Sequence, residues 1–277
     1  MATYYPHISG AVSAGMPYVR RMAFSTVVSE SPAGQIFTAP RLTDPLWLFD
    51  LDYKMIPTAD ADEILEFFQD QRGRYGEFSF LDPAGTLIEV GDDFSDASWT
   101  KTGVTVGSAQ TDPLGGSEAV RLTGTGGDNS VRTPILPAGD ALTVSRGQAL
   151  TFTGSIWIKP VIASQSFMVA FYRTGVGVES SKIIALADGR WQRIWFTWQS
   201  NTDDPLEVQF GGGGTWASNA VDVFAPVCSP LPGKGGDEYG PSNYGLHAKS
   251  RFAVDRLRME SPQPGLWNVK CAVESYA

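Results

Sequence analysis

Histidine, cysteine and cationic side chains are scarce in this 277-residue chain, and long apolar runs are missing altogether. Two histidines, His7 and His247, leave little room for His-based catalysis or metal binding. Two cysteines, Cys228 and Cys271, are too few for a disulfide scaffold or a Cys-based zinc site, and free thiols are the simplest expectation. Lys and Arg number 21 against 30 Asp and Glu, a net charge of −9. A broad basic face for phosphates is therefore not expected, nor nucleic acid as a partner. No apolar stretch approaches the roughly 18 residues of a membrane helix. Met1-Ala2-Thr3-Tyr4-Tyr5-Pro6-His7 lacks the basic and apolar regions of a secretory signal, so the chain is expected to be made and kept in a cytoplasm until assembly.

What the chain has is β-forming residues and turn formers. Thirty glycines and 18 prolines suit many short strands joined by turns. One segment, 59–72, reads as a helix. Thr58 is placed to cap it, and Asp60, Asp62 and Glu63 put negative charge in its first turn. Ile64, Leu65, Phe67 and Phe68 give it an apolar stripe, and Gly73 sits where a left-handed residue would end it. Before it, Trp47, Phe49, Leu51 and Tyr53 alternate with Leu48, Asp50 and Asp52, as on a half-buried strand. After it, Phe78 and Phe80 alternate with more polar neighbours up to the turn Asp82-Pro83-Ala84-Gly85.

Beyond about residue 89 helical stripes stop. Short β-rich runs recur at 102–106, 119–123, 150–159, 167–172, 182–186, 191–198, 206–210 and 220–227, as in a β-sandwich or jelly roll. A polar, turn-rich stretch at 233–243 reads as a linker. Strands resume around Phe252, Val254 and Leu257 and at 266–274.

Enzyme signatures are missing. There is no Gly-x-Ser-x-Gly, Gly233-Lys234-Gly235 is not a phosphate loop, and Gly211-Gly212-Gly213-Gly214 lacks a dinucleotide site's strand-to-helix context. The acid pairs Asp92/Asp93, Asp203/Asp204 and Asp237/Glu238 fall in turn-like segments, where Asp serves local backbone hydrogen bonds. A non-enzyme without cofactor or resident metal is expected. Loop calcium near 92–96 and Asp222 is the alternative left open. The tryptophans say more. Trp99, Trp157, Trp191, Trp195, Trp198 and Trp216 lie in the middle block, and core packing accounts for most. Alternation puts Trp157 with Thr153, Ser155 and Lys159, and Trp195 with Arg193 and Thr197. It sets Tyr172 opposite Phe167, Val169 and Phe171, and Gln209 opposite Val208 and Phe210. These residues define a platform on which sugar rings would stack, or else a surface packed under a loop or partner.

Two resemblances follow. The order of Trp47-Leu48-Phe49-Asp50-Leu51-Asp52-Tyr53, a helix ending Phe67-Phe68-Gln69-Asp70-Gln71-Arg72-Gly73-Arg74-Tyr75, and Phe78-Ser79-Phe80-Leu81-Asp82-Pro83, with a closing strand at 267–274, resembles the distal tail proteins of long-tailed bacteriophages. The match covers about 1–88 and 244–277. It implies a tail-tube-like β-sandwich with one packed α-helix and a homo-hexameric ring at the tail tip. That ring would join the tail tube protein to hub and fibre proteins, with DNA passing as cargo. The intervening block looks like a jelly-roll carbohydrate-binding module. It opens with Asp93-Phe94-Ser95-Asp96-Ala97-Ser98-Trp99-Thr100-Lys101 and continues through 150–159 and Gly189-Arg190-Trp191-Gln192-Arg193. The expected organisation is thus mainly β, with a discontinuous ring domain (1–88 and 244–277) and an inserted jelly roll (89–243). The expected place is a virion tail tip, assembled in the host cytoplasm. The expected glycan-binding residues are Trp157, Tyr172, Trp195 and Gln209, directed at host-surface polysaccharide. The runner-up expectation is a structural spacer whose insert binds neighbouring tail proteins and no sugar.

Overall fold

A computed structural model describes residues 5–6, 19–32, 34–40, 45–82, 85–91, 93–127, 129–135, 150–162, 165–187, 189–200, 204–211, 219–230 and 246–276. The chain divides into two compact units, Ala2–Phe80 with His247–Ala277, and Leu81–Leu246. Both are β-rich, and α1 (Thr58–Asp70) is the one α-helix among the described residues.

In the discontinuous unit, β1 (Val19–Ala23), β4 (Leu46–Pro57), β18 (Leu266–Tyr276), β16 (Leu246–Phe252) and β5 (Phe78–Leu81) form a sheet in that order, and β17 (Arg258–Gln263) pairs with β18. β4 and β18 run antiparallel, with Phe49 opposite Val273, Leu51 opposite Cys271 and Tyr53 opposite Val269, all buried. The alternation of β4 is thus realised: its apolar set faces α1, while Asp50 and Asp52 face the other way. Phe67 and Phe68 of the helix stripe pack edge-on against Phe252, and Phe67 also against Tyr5 and Phe78. The Tyr53 hydroxyl donates to Tyr5 Oη at 3.0 Å, and Tyr5 Oη lies 3.3 Å from Cys271 Sγ, so the polar tips buried here are paired.

The helix ends depart from the sequence expectation. Pro57 is the N-cap and makes no side-chain cap. Thr58 Oγ1 instead accepts from Trp267 Nε1 at 3.2 Å, tying the helix start to β18. The left-handed backbone begins at Arg72 (φ 53°), one residue ahead of Gly73 (φ 62°). Gly73 is still required, because a Cβ there would meet Asp255 Oδ1 at 2.8 Å. A separate hairpin, β2 (Thr26–Glu30) and β3 (Ile36–Pro40), exposes Val27, Val28, Ile36 and Phe37.

The Leu81–Leu246 unit is a β-sandwich with jelly-roll strand order. One sheet runs β13 (Gln192–Ser200), β10 (Leu150–Pro160), β15 (Ala220–Ser229), β8 (Ala119–Gly124), β7 (Val104–Gln110). The facing sheet runs β12 (Gly177–Ala185), β11 (Ser166–Arg173), β14 (Leu206–Gly211), β9 (Ser130–Pro134), β6 (Thr100–Thr102). Phe152, Ile156, Ile158, Leu122, Val221 and Val223 from the first sheet meet Phe167, Val169, Phe171, Val208, Phe210 and Val131 from the second, all buried. At Gly154 the facing sheet leaves no room for a side chain: a Cβ would lie 2.9 Å from Val208 Cγ2 and 3.3 Å from Val169 Cγ1. Leu81 and the residues up to Ile88, expected with the ring domain, fall in this unit instead. Leu87 N donates to Cys228 O at 2.7 Å, and Cys228 N donates to Thr86 Oγ1 at 3.1 Å. The expected 233–243 linker lies outside the described residues.

Candidate binding face of the jelly roll

The core parity of each strand determines which side chains look outward. In β10 the core set is Phe152, Gly154, Ile156 and Ile158, so Thr153, Ser155, Trp157 and Lys159 point out. In β13, Ile194 is buried and Trp198 stacks on Phe171 at 5.3 Å, so Arg193, Trp195 and Thr197 point out, and Trp191 shares their parity. The antiparallel register puts Trp157 opposite Arg193, Ser155 opposite Trp195 and Thr153 opposite Thr197, whose hydroxyls lie 2.9 Å apart. In β15, Phe224 is opposite Trp157 and Asp222 opposite Lys159.

The centre of this face is closed. Trp157 is 9% exposed and packs with Ala119, Phe224 and Ala225 in a small cluster that Trp191 joins from the side. The Arg193 guanidinium lies 6.0 Å from the Trp157 ring and donates to Ala225 O (2.8 Å) and Ser155 Oγ (2.7 Å). Ala225 takes a positive φ of 45° at a β-bulge between the Ser155 and Trp157 pairings. Arg121 donates to both carboxylate oxygens of Asp222, at 2.7 and 3.1 Å, and this ion pair keeps the Arg121 guanidinium more firmly protonated.

The open part is the edge strand β13. Trp195 is 40% exposed, with Lys182 Nζ 5.7 Å from its ring. Trp191 is half-buried, with Lys159 Nζ 6.0 Å from its ring. Trp191, just ahead of β13, and Trp195 within it thus share one side of the chain, each with an ammonium near it.

The four residues singled out from the sequence do not converge. Trp157 and Trp195 belong to the β13–β10–β15 sheet. Tyr172 and Gln209 belong to the facing sheet, where Ala170 is opposite Gln209 and Tyr172 opposite Glu207. Their non-core sides therefore look out from opposite surfaces of the sandwich. The Tyr172 ring is already covered by the Arg132 guanidinium at 4.3 Å. Gln209 is buried and donates from Nε2 to Gly211 O at 3.1 Å. Lys159 was read on the face of Trp157, but Trp191 and Lys182 were not read as part of this face, although parity gives Trp191 the side of Trp195.

The remaining tryptophans and acids are mostly structural. Trp99 is buried, tilts against Phe94 and donates from Nε1 to Val90 O at 2.8 Å. Asp93 accepts from Ser95 N and Oγ. Asp96 accepts from Ser98 N at 2.7 Å, which holds its carboxyl below the usual range. Arg173 donates to Asp204 at 3.0 Å. Asp92, Asp203, Trp216, Asp237 and Glu238 lie outside the described residues, as do Gly212, Gly213 and Gly214. Among the described residues no group of three or more His, Cys, Asp or Glu is arranged to hold a metal ion. No described helix is long and apolar enough to cross a membrane.

No protein-family model matches the chain, and no curated protein matches it. Solved structures resemble it in part. A carbohydrate-binding module, the C-terminal family 22 module of Clostridium thermocellum Xyn10B, is 16% identical over 55% of this chain and 97% of its own, with a TM-score of 0.41. The family 11 module from Clostridium thermocellum, in complex with a β-1,3-1,4-mixed-linked tetrasaccharide, is 17% identical over 56% of this chain and 96% of its own, TM-score 0.32. The enzymatically active domain of bacteriophage CBA120 tailspike protein 4 is 14% identical over 54% of this chain, TM-score 0.37. This chain spans 22% of that tailspike domain's length. At these TM-scores the likenesses carry no functional weight, which rests on the geometry of β13 and its neighbours.

Proposed function

We propose that the jelly-roll unit is a non-catalytic glycan-binding module that grips an extended sugar chain along β13. The observation that carries this reading is the Trp191/Trp195 pair. Trp191, half-buried just ahead of the edge strand, and the exposed Trp195 within it form a stacking track as long as a short oligosaccharide, with Arg193 between them and Thr197 beyond. Hexose rings stack on such indoles through their C–H faces, and the neighbouring polar groups orient the hydroxyls.

The discontinuous unit, on this proposal, is the ring-forming part of a virion tail-tip protein, a homo-hexamer joining tail tube to hub and fibres. The sequence resemblance suggests it, and the β2–β3 hairpin supports an assembling role. A two-stranded hairpin with Val27, Val28, Ile36 and Phe37 all exposed is marginal in water on its own. A cyclic assembly offers it a cover. Six copies would let weak single sites act together on one bacterial surface.

One observation favours a second reading, a spacer that binds proteins rather than sugar. The middle of the outward face, at Thr153, Ser155 and Trp157, is already buried. A glycan array separates the two. Wild-type protein should bind at least one bacterial surface polysaccharide, and Trp195→Ala should abolish the signal. A chain that binds none of them is the spacer. Negative-stain microscopy with mass measurement tests the ring: closed rings of about six subunits are expected on the homo-hexamer reading.

A further inference from the structure

We infer that the ligand of the β13 track is an anionic glycan, one bearing carboxylate or phosphate groups along its chain. This deepens the glycan-binding reading above and rests on it. The chain as a whole is strongly acidic, at −9, yet the described charges nearest the half-buried Trp191 and the exposed Trp195 are of the opposite sign. Lys159 stands at Trp191 and Lys182 at Trp195. Arg190, next to Trp191 in the chain, is exposed. None of these three cations makes an ion pair with a described residue. The carboxylate on this face, Asp222, is opposite Lys159 in the register, but both its oxygens accept from Arg121. Charges beyond about 8 Å are screened at physiological salt. Among the described residues, a ligand at β13 therefore meets a locally positive strip.

The placement of the two ammonium groups adds a second reason. Each lies against the indole where a sugar ring must stack, attracted by the ring's negative face. A neutral sugar would have to displace the lysine and offer it nothing in return. An acidic sugar stacks on the indole and gives the displaced ammonium a carboxylate or phosphate partner, so the attraction is exchanged rather than lost. Lys182 and Lys159 approach the track from different strands, β12 and β10, so anionic groups at two points along one chain would be engaged together.

The test uses the full chain and a panel of immobilised bacterial capsular polysaccharides in three arms: neutral, uronic-acid-bearing and phosphodiester-bearing. At low salt at least one anionic arm should bind about tenfold more tightly than the neutral arm. That preference should narrow as salt rises from about 20 mM to about 0.5 M. The double variant Lys159→Gln/Lys182→Gln changes two side chains outside the core. It should lose the preference while its melting curve stays that of the parent. Tight binding of the neutral arm alone, or an anionic preference unmoved by the double variant, overturns the inference and leaves the glycan reading standing. No binding in any arm removes the glycan reading itself, and the inference with it. Which anionic arm responds distinguishes carboxylate from phosphate.

Discussion

Trp157 and Trp195 sit one strand apart on the same face, yet their replacement by alanine should have different consequences. At 9% exposed, Trp157 is embedded among Ala119, Phe224 and Ala225 and under the Arg193 guanidinium. Truncation removes an aromatic that buries roughly 200 Å² and opens a cavity that the paired strands β13 and β15 cannot close, an effect of about 3–5 kcal/mol. For a unit of this size that lowers the melting temperature by about 6–20 °C. Trp195, 40% exposed on an edge strand, leaves a dent that solvent fills, so Trp195→Ala should destabilise by about 1–2 kcal/mol, a shift of about 2–8 °C. Glycan binding should order the other way: Trp195→Ala removes a stacking face and abolishes binding in a folded protein. Differential scanning calorimetry and an affinity measurement on the same preparations decide the matter. A Trp157→Ala protein that melts with the parent but has lost its ligand would refute the division into packed and open indoles.

Three further outcomes are expected. Gly154→Ala places a methyl group 2.9 Å from Val208 Cγ2 of the facing sheet, and should destabilise the jelly roll by about 1–3 kcal/mol, measured by urea unfolding; no change would mean that the sheets separate freely there. Burial pushes both thiols up, Cys271 to about 12 and Cys228 further, so Ellman's reagent should find no reactive cysteine in native protein and two after denaturation, and a fast native reaction would contradict their placement. Burial of Asp112 is outweighed by the backbone N–H groups of Glu118, Leu114 and Gly116, so its carboxyl titrates below its ordinary value; its contribution to stability is complete above the unfolded value of about 3.9 and is lost as pH falls through the depressed folded value, a step that Asp112→Asn should erase and that an ordinary Asp112 titration by NMR would disprove.

Elements with a local cause were legible in the sequence. The α1 stripe of Ile64, Phe67 and Phe68 and the alternation of β4 each repeat a pattern that a single element imposes. All eight β-rich runs of the middle block overlap strands, though 102–106 crosses Gly103 between β6 and β7. The strands that went unread have weak or contrary patterns. β9 carries Arg132 and Pro134 around a buried Val131, and β1, β2 and β3 expose nearly all their residues, so no buried face stamps a period on them. The helix ends were misread because Thr58 and Arg72 answer to tertiary partners and backbone, which composition does not reveal.

The candidate face was half legible for a reason that lies in the topology. Parity correctly separated Trp157 from Phe152 and Tyr172 from Phe171, since alternation along a strand is local. Whether Trp157 and Tyr172 look the same way depends on whether their strands share a sheet. In a sandwich where the chain crosses between sheets from β10 to β11, the two core-facing sets meet. Phe152 and Phe171 do so, at 6.2 Å between ring centroids. Their opposite parities must then diverge to the two outer surfaces. Outward residues can form a common site here when their strands are hydrogen-bonded neighbours, as β13 and β10 are, or when a long side chain reaches around an edge, as Lys182 of β12 does to Trp195. Edge position also decides access. β10 is flanked by β13 and β15, and its Trp157 is closed over from both sides. β13 has one paired side, and it keeps Trp195 open. On the proposed reading, a site that uses the open indole Trp195 runs along β13, and the side chains that shape it come from that strand, from β10 and from Lys182 of β12.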